Sequence, residues 1–231
     1  MKISPSFLAL SEEIISLESS KIGRLMEIDR LIVGPLRTNC YILSEGRDCI
    51  VIDPGGDHDI IIEHLQKKNL TPTKILATHG HFDHILSVSA IKLKFDIPFF
   101  VSKKDEPIIE GFRKFVKTYF GMDPGDPPVP DKDINNEDIF RIGSKSLKAI
   151  ENPGHTPGSH SFMVDNAMFS GDFVFNGSIG RTDFGGSYSE MSNSIRSLKK
   201  LEGDVNIYPG HGEFTTLEDE KNNNPFFKEI F

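Results

Sequence analysis

At 231 residues the chain is long enough for one sizeable core and too short for two comfortable domains. Hydrophobic residues at 37% and charged residues at 26% describe an ordinary soluble globular protein, and a formal net charge of −8 argues against nucleic-acid binding by bulk electrostatics. No run approaches the ~18–20 apolar residues of a membrane span, no secretory leader pattern opens the chain, and Cys40 and Cys49 are too few for a disulfide framework; the expectation is a cytoplasmic protein with buried free thiols, no nucleic acid and no membrane.

Residues 1–25 read as an extension in front of a single domain spanning 26–231. Ile14, Ile15 and Leu17 have helix-like spacing, so the extension reads either as an added helix or as sequence ahead of a true start at Met26. Strands are then predicted over Met26 to Val33, Asn39 to Ser44 and Cys49 to Ile52, with a turn at Ser44-Glu45-Gly46-Arg47-Asp48. Asp53-Pro54-Gly55-Gly56 ends the third strand sharply, and Ile60, Ile61, Ile62 and Leu65 mark an amphipathic helix to about Lys68. Lys74 to Thr78 is a buried-type strand that delivers His79-Gly80-His81-Phe82-Asp83-His84, and a helix over Ile85 to Lys94 leaves that cluster. Pro98 to Val101 is a strand, Asp105 to Tyr119 a helix, and Gly121 to Asp138, rich in proline, glycine and acids, a surface loop. The second half repeats the scheme: strands over Leu147 to Glu151, His160 to Val164 and Ala167 to Ser170, a helix over Tyr188 to Leu201, and a strand at Asn206 to Tyr208. Thr215-Thr216-Leu217-Glu218 has the form of a capping box opening a last helix. Strands followed by helices in both halves imply a layered α/β sandwich.

The chemistry is concentrated in turns. In an extended strand residues 79 and 81 share a face, but Asp83 and His84 cannot both join them. Gly80 lets the backbone bend past the strand end, and the start of the next helix can then aim Asp83 and His84 inward. Three more ligand-type residues occupy equally punctuated turns: His155 in Pro153-Gly154-His155-Thr156-Pro157-Gly158, Asp172 after Ser170-Gly171, and His211 in Pro209-Gly210-His211-Gly212. Each follows a predicted strand, so all project from one strand-end edge, where open α/β sheets place their sites. Imidazole nitrogens and carboxylate oxygens converging from several directions are what a divalent transition metal requires. His58 and His64 read as surface residues, and His160 as a packing or solvated residue near the site.

These motifs resemble those of the metallo-β-lactamase-fold hydrolase superfamily, over about Met26 to the C-terminus. The resemblance implies a four-layer αββα sandwich with a dinuclear metal centre. His79, His81 and His155 would hold one ion, Asp83, His84 and His211 the other, and Asp172 would bridge them. Asp53, in Val51-Ile52-Asp53-Pro54-Gly55, would orient a ligand imidazole from behind. The implied cofactors are two divalent ions, zinc foremost, with iron and manganese also suited to the donors. Asp172 stands where the common zinc lactamases carry cysteine, which argues against antibiotic hydrolysis. The tRNA-clamping insertion of the superfamily's nucleases is not apparent, and His81 stands where flavodiiron proteins carry glutamate.

Asn176-Gly177-Ser178-Ile179-Gly180-Arg181-Thr182-Asp183-Phe184-Gly185-Gly186 is similar to a segment of compact glyoxalase II-like hydrolases, which cleave glutathione thioesters. A related Gly-Arg-Thr-Asp-Phe string occurs in persulfide dioxygenases, which use one iron. Arg181 is the expected binder of a substrate carboxylate, with a salt bridge to Asp183 as the alternative. The complete second ligand set favours two metals and hydrolysis. Only 20 residues follow His211, too few for the helical C-terminal domain of full-length glyoxalase II. The expectation is therefore a compact thioesterase acting on glutathione or another small thiol carrier. Hydrolysis would proceed by attack of a hydroxide held between two cations, with Asp83 orienting it and receiving its proton. A mononuclear iron persulfide dioxygenase and a metal-binding module without turnover are the alternatives; a homodimer is compatible with either.

Overall fold

Two six-stranded sheets lie face to face, and the alternation of side chains along their strands explains why. The computed structural model describes residues 13–16 and 26–230. The first sheet runs β1 (Glu13–Ser16), β2 (Met26–Val33), β3 (Thr38–Glu45), β4 (Asp48–Ile52), β5 (Thr71–Leu76) and β6 (Phe99–Phe100), adjacent in that order. Helices α1 (His58–Lys67), α2 (Phe82–Ile85), α3 (Val88–Phe95) and α4 (Glu106–Phe120) follow its later strands. The second half contributes β7 (Ile139–Ile142), β8 (Lys145–Glu151), β9 (His160–Val164) and β10 (Ala167–Gly171). A small antiparallel pair, β11 (Val174–Phe175) and β12 (Ser178–Ile179), precedes α5 (Tyr188–Leu198). Then come β13 (Asn206–Pro209), β14 (Thr215–Thr216), α6 (Leu217–Asn223) and α7 (Pro225–Glu229). The second sheet has the order β14-β13-β10-β9-β8-β7.

Successive residues of a strand face opposite ways, and here the two sets enter different cores. Cys40, Ile42 and Val51 pack outward on Ile61 and Leu65 of α1, Val88 and Ile91 of α3, and Phe112 and Val116 of α4. Their neighbours Tyr41, Leu43, Ile50 and Ile52 face inward on Phe140, Phe162, Phe169 and Tyr208 of the second sheet. Met168 and Ile207, on the far face of that sheet, meet Met191, Ile195 and Leu198 of α5 and Leu217 of α6. Three cores between four layers make the αββα sandwich, an α/β fold. Each fully buried Ile, Leu or Phe contributes about 1.5–3 kcal/mol relative to its exposed state. Both cysteines are buried free thiols, and burial pushes Cys49 up to about 12.

The parallel pairs decide where the site lies. β4 and β5, β5 and β6, and β10 and β13 run parallel, and such pairs need helical crossovers. Their C-terminal ends therefore open together on one rim. Among the described residues no helix is long and apolar enough to cross a membrane.

Several elements differ from expectation. Ile14 and Ile15, read as helical, lie in β1, which pairs antiparallel with β2 from Glu13↔Arg30 to Ser16↔Glu27. The edge of β2 offers hydrogen-bond partners that local spacing does not register. The remainder of the leader lies outside the described residues. The helix expected over Ile85 to Lys94 is two helices, because Ser87 N–H donates to Pro54 O at 2.9 Å and interrupts the ladder. β7 lies just past the predicted loop, in residues to which local pattern assigns no element, yet Phe140 and Ile142 alternate into the central core. The cap of α6 is Thr216, whose hydroxyl accepts from Asp219 N–H, while Thr215 belongs to β14.

Candidate metal centre

The first ligand cluster is anchored by one carboxylate. Asp53 ends β4 with a left-handed φ of 52°, which turns its side chain under β5. There Oδ1 accepts from Thr78 N–H at 2.7 Å, and Oδ2 accepts from Thr78 Oγ1 at 2.7 Å and from His84 Nδ1 at 2.9 Å. With its proton committed to Asp53, Thr78 Oγ1 accepts from His79 Nδ1 at 3.0 Å. Both imidazoles are thus held through Nδ1 and turn Nε2 toward the cluster. Asp53, expected to stand behind a ligand imidazole, is the hydrogen-bond partner of His84.

His81 sits at the mouth of α2 with Nδ1 at 2.8 Å from His155 Nε2, and its own Nε2 donates to Phe184 O at 3.2 Å. His155 donates from Nδ1 to Arg181 O at 2.7 Å, which leaves its Nε2 free to face His81. His211 Nε2 stands 3.1 Å from Asp83 Oδ2. Asp172 lies between the two groups. Its Oδ1 is 3.3 Å from His84 Nε2, and its Oδ2 is 3.6 Å from both His155 Nε2 and His211 Nε2. The structure therefore brings together all seven side chains that the sequence singles out as ligands. Donor atoms lie within 4.8 Å of one another in His79, His81 and His155, in Asp83, His84 and His211, and in His79, His84 and Asp172.

Whether these residues fit a metal is decided by what they leave undone. His79 Nε2, His84 Nε2 and Asp172 Oδ1 are buried with no hydrogen-bond partner. Stranding such atoms is costly unless something else satisfies them. A donor set of imidazole nitrogen and carboxylate oxygen suits zinc, iron or manganese, so the residues fit divalent ions.

The electrostatics agree. Burial, reinforced by the neighbouring imidazoles, holds His79 well below the usual histidine range, and burial with His155 brings His81 to about 4. For His84 burial also opposes the charge, but Asp172, Asp53 and Asp83 outweigh it and raise its pKa well above normal. Asp172 is held down by His84, His155 and His211 against its own burial. Neutral rings at His79 and His81 and an ionised Asp172 are the protonation states that metal ligation requires, whereas the carboxylates around His84 and His211 hold protons there that a bound ion would displace.

Two clamps hold the later ligand loops, and neither was legible in the sequence. Asp105, fully buried at the start of α4, accepts from Gly80 N–H at 2.8 Å, Thr156 Oγ1 at 2.7 Å and Gly158 N–H at 2.7 Å. It ties the His79 cluster to the His155 loop. Burial raises its pKa against those three hydrogen bonds. The His211 loop is held from β3. Asn39 Nδ2 donates to Pro209 O at 2.9 Å and Gly212 O at 2.8 Å, and Tyr41 Oη donates to Pro209 O at 2.7 Å. Gly210 completes that contact: a Cβ there would overlap Asp172 Oδ1 and come within 2.7 Å of His84 Cε1.

Other expectations need correction. His64 is not a surface residue; it is buried, with Nε2 at 2.8 Å from Asp29 Oδ2, where Lys68 Nζ also meets Oδ1 at 2.7 Å. A polar partner on β2 was invisible from the spacing of α1. His58 is exposed, as expected. His160 packs away from the cluster, with Nδ1 donating to Gly158 O at 2.8 Å. Arg181 shows the salt bridge that was its alternative reading. Nε and Nη2 both donate to Asp183 at 2.6 Å, and the guanidinium stands 4.0 Å over the Phe184 ring.

Above the cluster opens a cavity of about 710 Å³, with His81, Asp83, His155, Asp172 and His211 along its floor and α4 along one wall. The family model for the metallo-beta-lactamase superfamily matches residues 33–211. The hydroxyacylglutathione hydrolase GloC of Haemophilus influenzae is 34% identical over 208 residues, covering 87% of this chain and 98% of that protein. Among solved structures, the B3 metallo-beta-lactamase BLEG-1 aligns with a TM-score of 0.80 at 34% identity, covering 87% of this chain and 99% of that one. TTHA1623, crystallised in a di-iron-bound form, aligns with a TM-score of 0.78 at 32% identity over 85% and 98% of the two chains. The coarse activity that these relatives and the histidine and aspartate groups support is that of a metal-dependent hydrolase. Matched by the family model from the end of β2 to the last ligand loop, and carrying its ligands at the strand ends of an αββα sandwich, the chain belongs to the metallo-beta-lactamase superfamily.

Proposed function

We propose that the protein is a thioesterase that works with two divalent ions, zinc foremost, on thioesters of glutathione or another small thiol in the cytoplasm. One observation carries this reading: two ligand triads, His79, His81 and His155 and Asp83, His84 and His211, share the carboxylate of Asp172 between them. A relative whose name is hydroxyacylglutathione hydrolase and a related structure holding two irons support it.

When bound, the ions supply Lewis acidity, polarising a carbonyl and making water nucleophilic near neutral pH. The chain's own residues do the rest. Asp53 and the Arg181 carbonyl hold His84 and His155 through Nδ1, so each ring turns Nε2 toward the cluster as the atom that would hold an ion. Asp83, on the cavity floor, orients the attacking water and receives its proton. Asp172 holds the triads in register. The apolar wall excludes bulk water, which strengthens each of these interactions. A thiol of pKa about 8.5 departs as thiolate, so no strong general acid is required.

The test loads the purified protein with zinc, iron or manganese, measures ions bound per chain, and assays thioesters, a β-lactam and glutathione persulfide. Two ions per chain with thioester turnover is the expected result. One iron per chain with persulfide-dependent oxygen consumption and no thioester cleavage would replace this reading with a dioxygenase, and turnover of the β-lactam alone would replace it with a lactamase.

A further inference from the structure

The wall of the cavity points to a substrate class. Phe82 directly follows the ligand His81, and from it an aromatic surface runs without interruption along α4. Ring centroids are 5.7 Å apart for Phe82 and Phe115, 5.0 Å for Phe82 and Phe120, and 4.6 Å for Phe115 and Tyr119. Phe184, across the mouth, meets Phe115 edge-on at 5.9 Å. Phe82, Phe115 and Phe120 also pack on the first core, whereas Tyr119 and Phe184 are 66% and 38% exposed, and all five line the cavity.

Charge is as informative as shape. Apart from the candidate ligand residues, the only fully charged groups lining the cavity among the described residues are Arg181 and Asp183, and they neutralise one another in a two-point pair; none of those lining residues is a lysine. A glutathionyl group carries two carboxylates and an ammonium. Taking those carboxylates onto this wall, away from ions at the floor and without another cationic partner, costs free energy, whereas an apolar group gains by burial in proportion to its area.

We infer that the thioester cleaved here carries an apolar acyl group, aromatic or branched aliphatic, seated against Phe82, Phe115 and Phe184 on an uncharged thiol arm. This rests on the thioesterase reading and narrows it away from hydroxyacyl-glutathione. Phe82 adjoins the ligand cluster, so an acyl carbon at the cluster places its substituent on the wall. The reaction balances as hydrolysis. A water oxygen bonds to the acyl carbon and the C–S bond breaks with its electron pair on sulfur. One water proton goes to the thiolate, and the other leaves as the product acid ionises.

The experiment compares kcat/KM of the metal-loaded protein on phenylacetyl, isovaleryl, acetyl and D-lactoyl thioesters of N-acetylcysteamine, with S-D-lactoylglutathione alongside. Phenylacetyl should exceed acetyl by roughly tenfold or more, through KM. That ratio should fall toward one in F115A and in F184A, with metal content unchanged. Phe184 is exposed enough that its truncation leaves the fold intact if F115A does not fold. Calorimetry with the uncleavable 2-phenylethyl thioether of N-acetylcysteamine gives a readout independent of turnover. It should bind the wild type at least roughly tenfold tighter than the ethyl thioether, and F184A no better than the ethyl form.

Equal rates across the acyl series, or a preference for lactoylglutathione, overturn the inference and leave the thioesterase reading standing. Selective thioether binding without cleavage of any thioester overturns the thioesterase reading and the acyl assignment with it, leaving the wall as an apolar binding surface only. A dimer that dissociates in F184A, with acyl selectivity unchanged, would assign the wall to self-association and also overturn the inference.

Discussion

The two halves of the molecule supply the same cluster by opposite means. The first places four ligand-type residues within six positions at the end of β5, and one carboxylate, Asp53, fixes Thr78 and His84 and, through Thr78, His79. The second places His155, Asp172 and His211 singly, on three loops separated by whole elements of structure. Those loops are held by groups from the other half: Asp105 for the His155 loop, Asn39 and Tyr41 for the His211 loop. Local order comes from chain continuity in one case and from long-range hydrogen bonds in the other. The second kind is where the site is most easily loosened.

The sharpest way to break this division is at its shared member. Asp172→Ala removes the one carboxylate that reaches both groups, and the expected outcome is loss of bound metal and of turnover, read by metal analysis and thioester assay. A mutant with normal metal content and activity would end the two-ion reading. Next, Asp53→Ala should weaken metal binding by about 10–100-fold, because His84 loses the partner that holds its Nδ1; competition with a chelator measures it.

Asp105→Asn tests the long-range side. The amide cannot accept all three bonds and faces Gly80 or Gly158 with a donor, so a loss of about 2–4 kcal/mol of stability is expected from chemical denaturation. If the clamp matters for the site, metal affinity falls as well; a stability loss with unchanged affinity would make Asp105 only a packing group. Asn39→Ala, which removes one of the donors to each of Pro209 O and Gly212 O, should cost about 1–3 kcal/mol, with any metal loss confined to one ion per chain. Smallest of all, Arg181→Ala should change KM for a thioester of an uncharged thiol by less than about threefold, because the exposed guanidinium is already paired with Asp183. A KM increase of tenfold or more would restore its role as a substrate anchor.

The same division explains what could be read from the chain. The strands, a layered α/β sandwich and the candidate ligand residues follow from periodicity and from turns, which are local properties, whereas the αββα order of the layers comes from the family resemblance. Asp105 is a lone aspartate before a helix, and nothing adjacent to it says that three donors wait on two distant loops. His64 looks like one more polar residue on an amphipathic helix until Asp29, 35 positions earlier, is seen beside it. β1 and the break between α2 and α3 have the same origin, since each is set by a backbone partner remote in sequence: β2 for one, Pro54 for the other. The donor pair of Arg181 is likewise taken by a neighbour two residues on, which composition alone could not rank above a ligand.

Helix α4 begins at the aspartate that knots two ligand loops together and continues as the aromatic wall of the cavity. The inferred acyl wall and the Asp105 clamp on two candidate ligand loops are therefore built into one helix. Sliding or tilting that helix to admit a bulkier substrate would drag the catalytic floor out of alignment. New specificities in this scaffold should accordingly arise by trimming or enlarging individual rings at positions such as 115, 119 and 184, and designers seeking them should leave the helix where it stands.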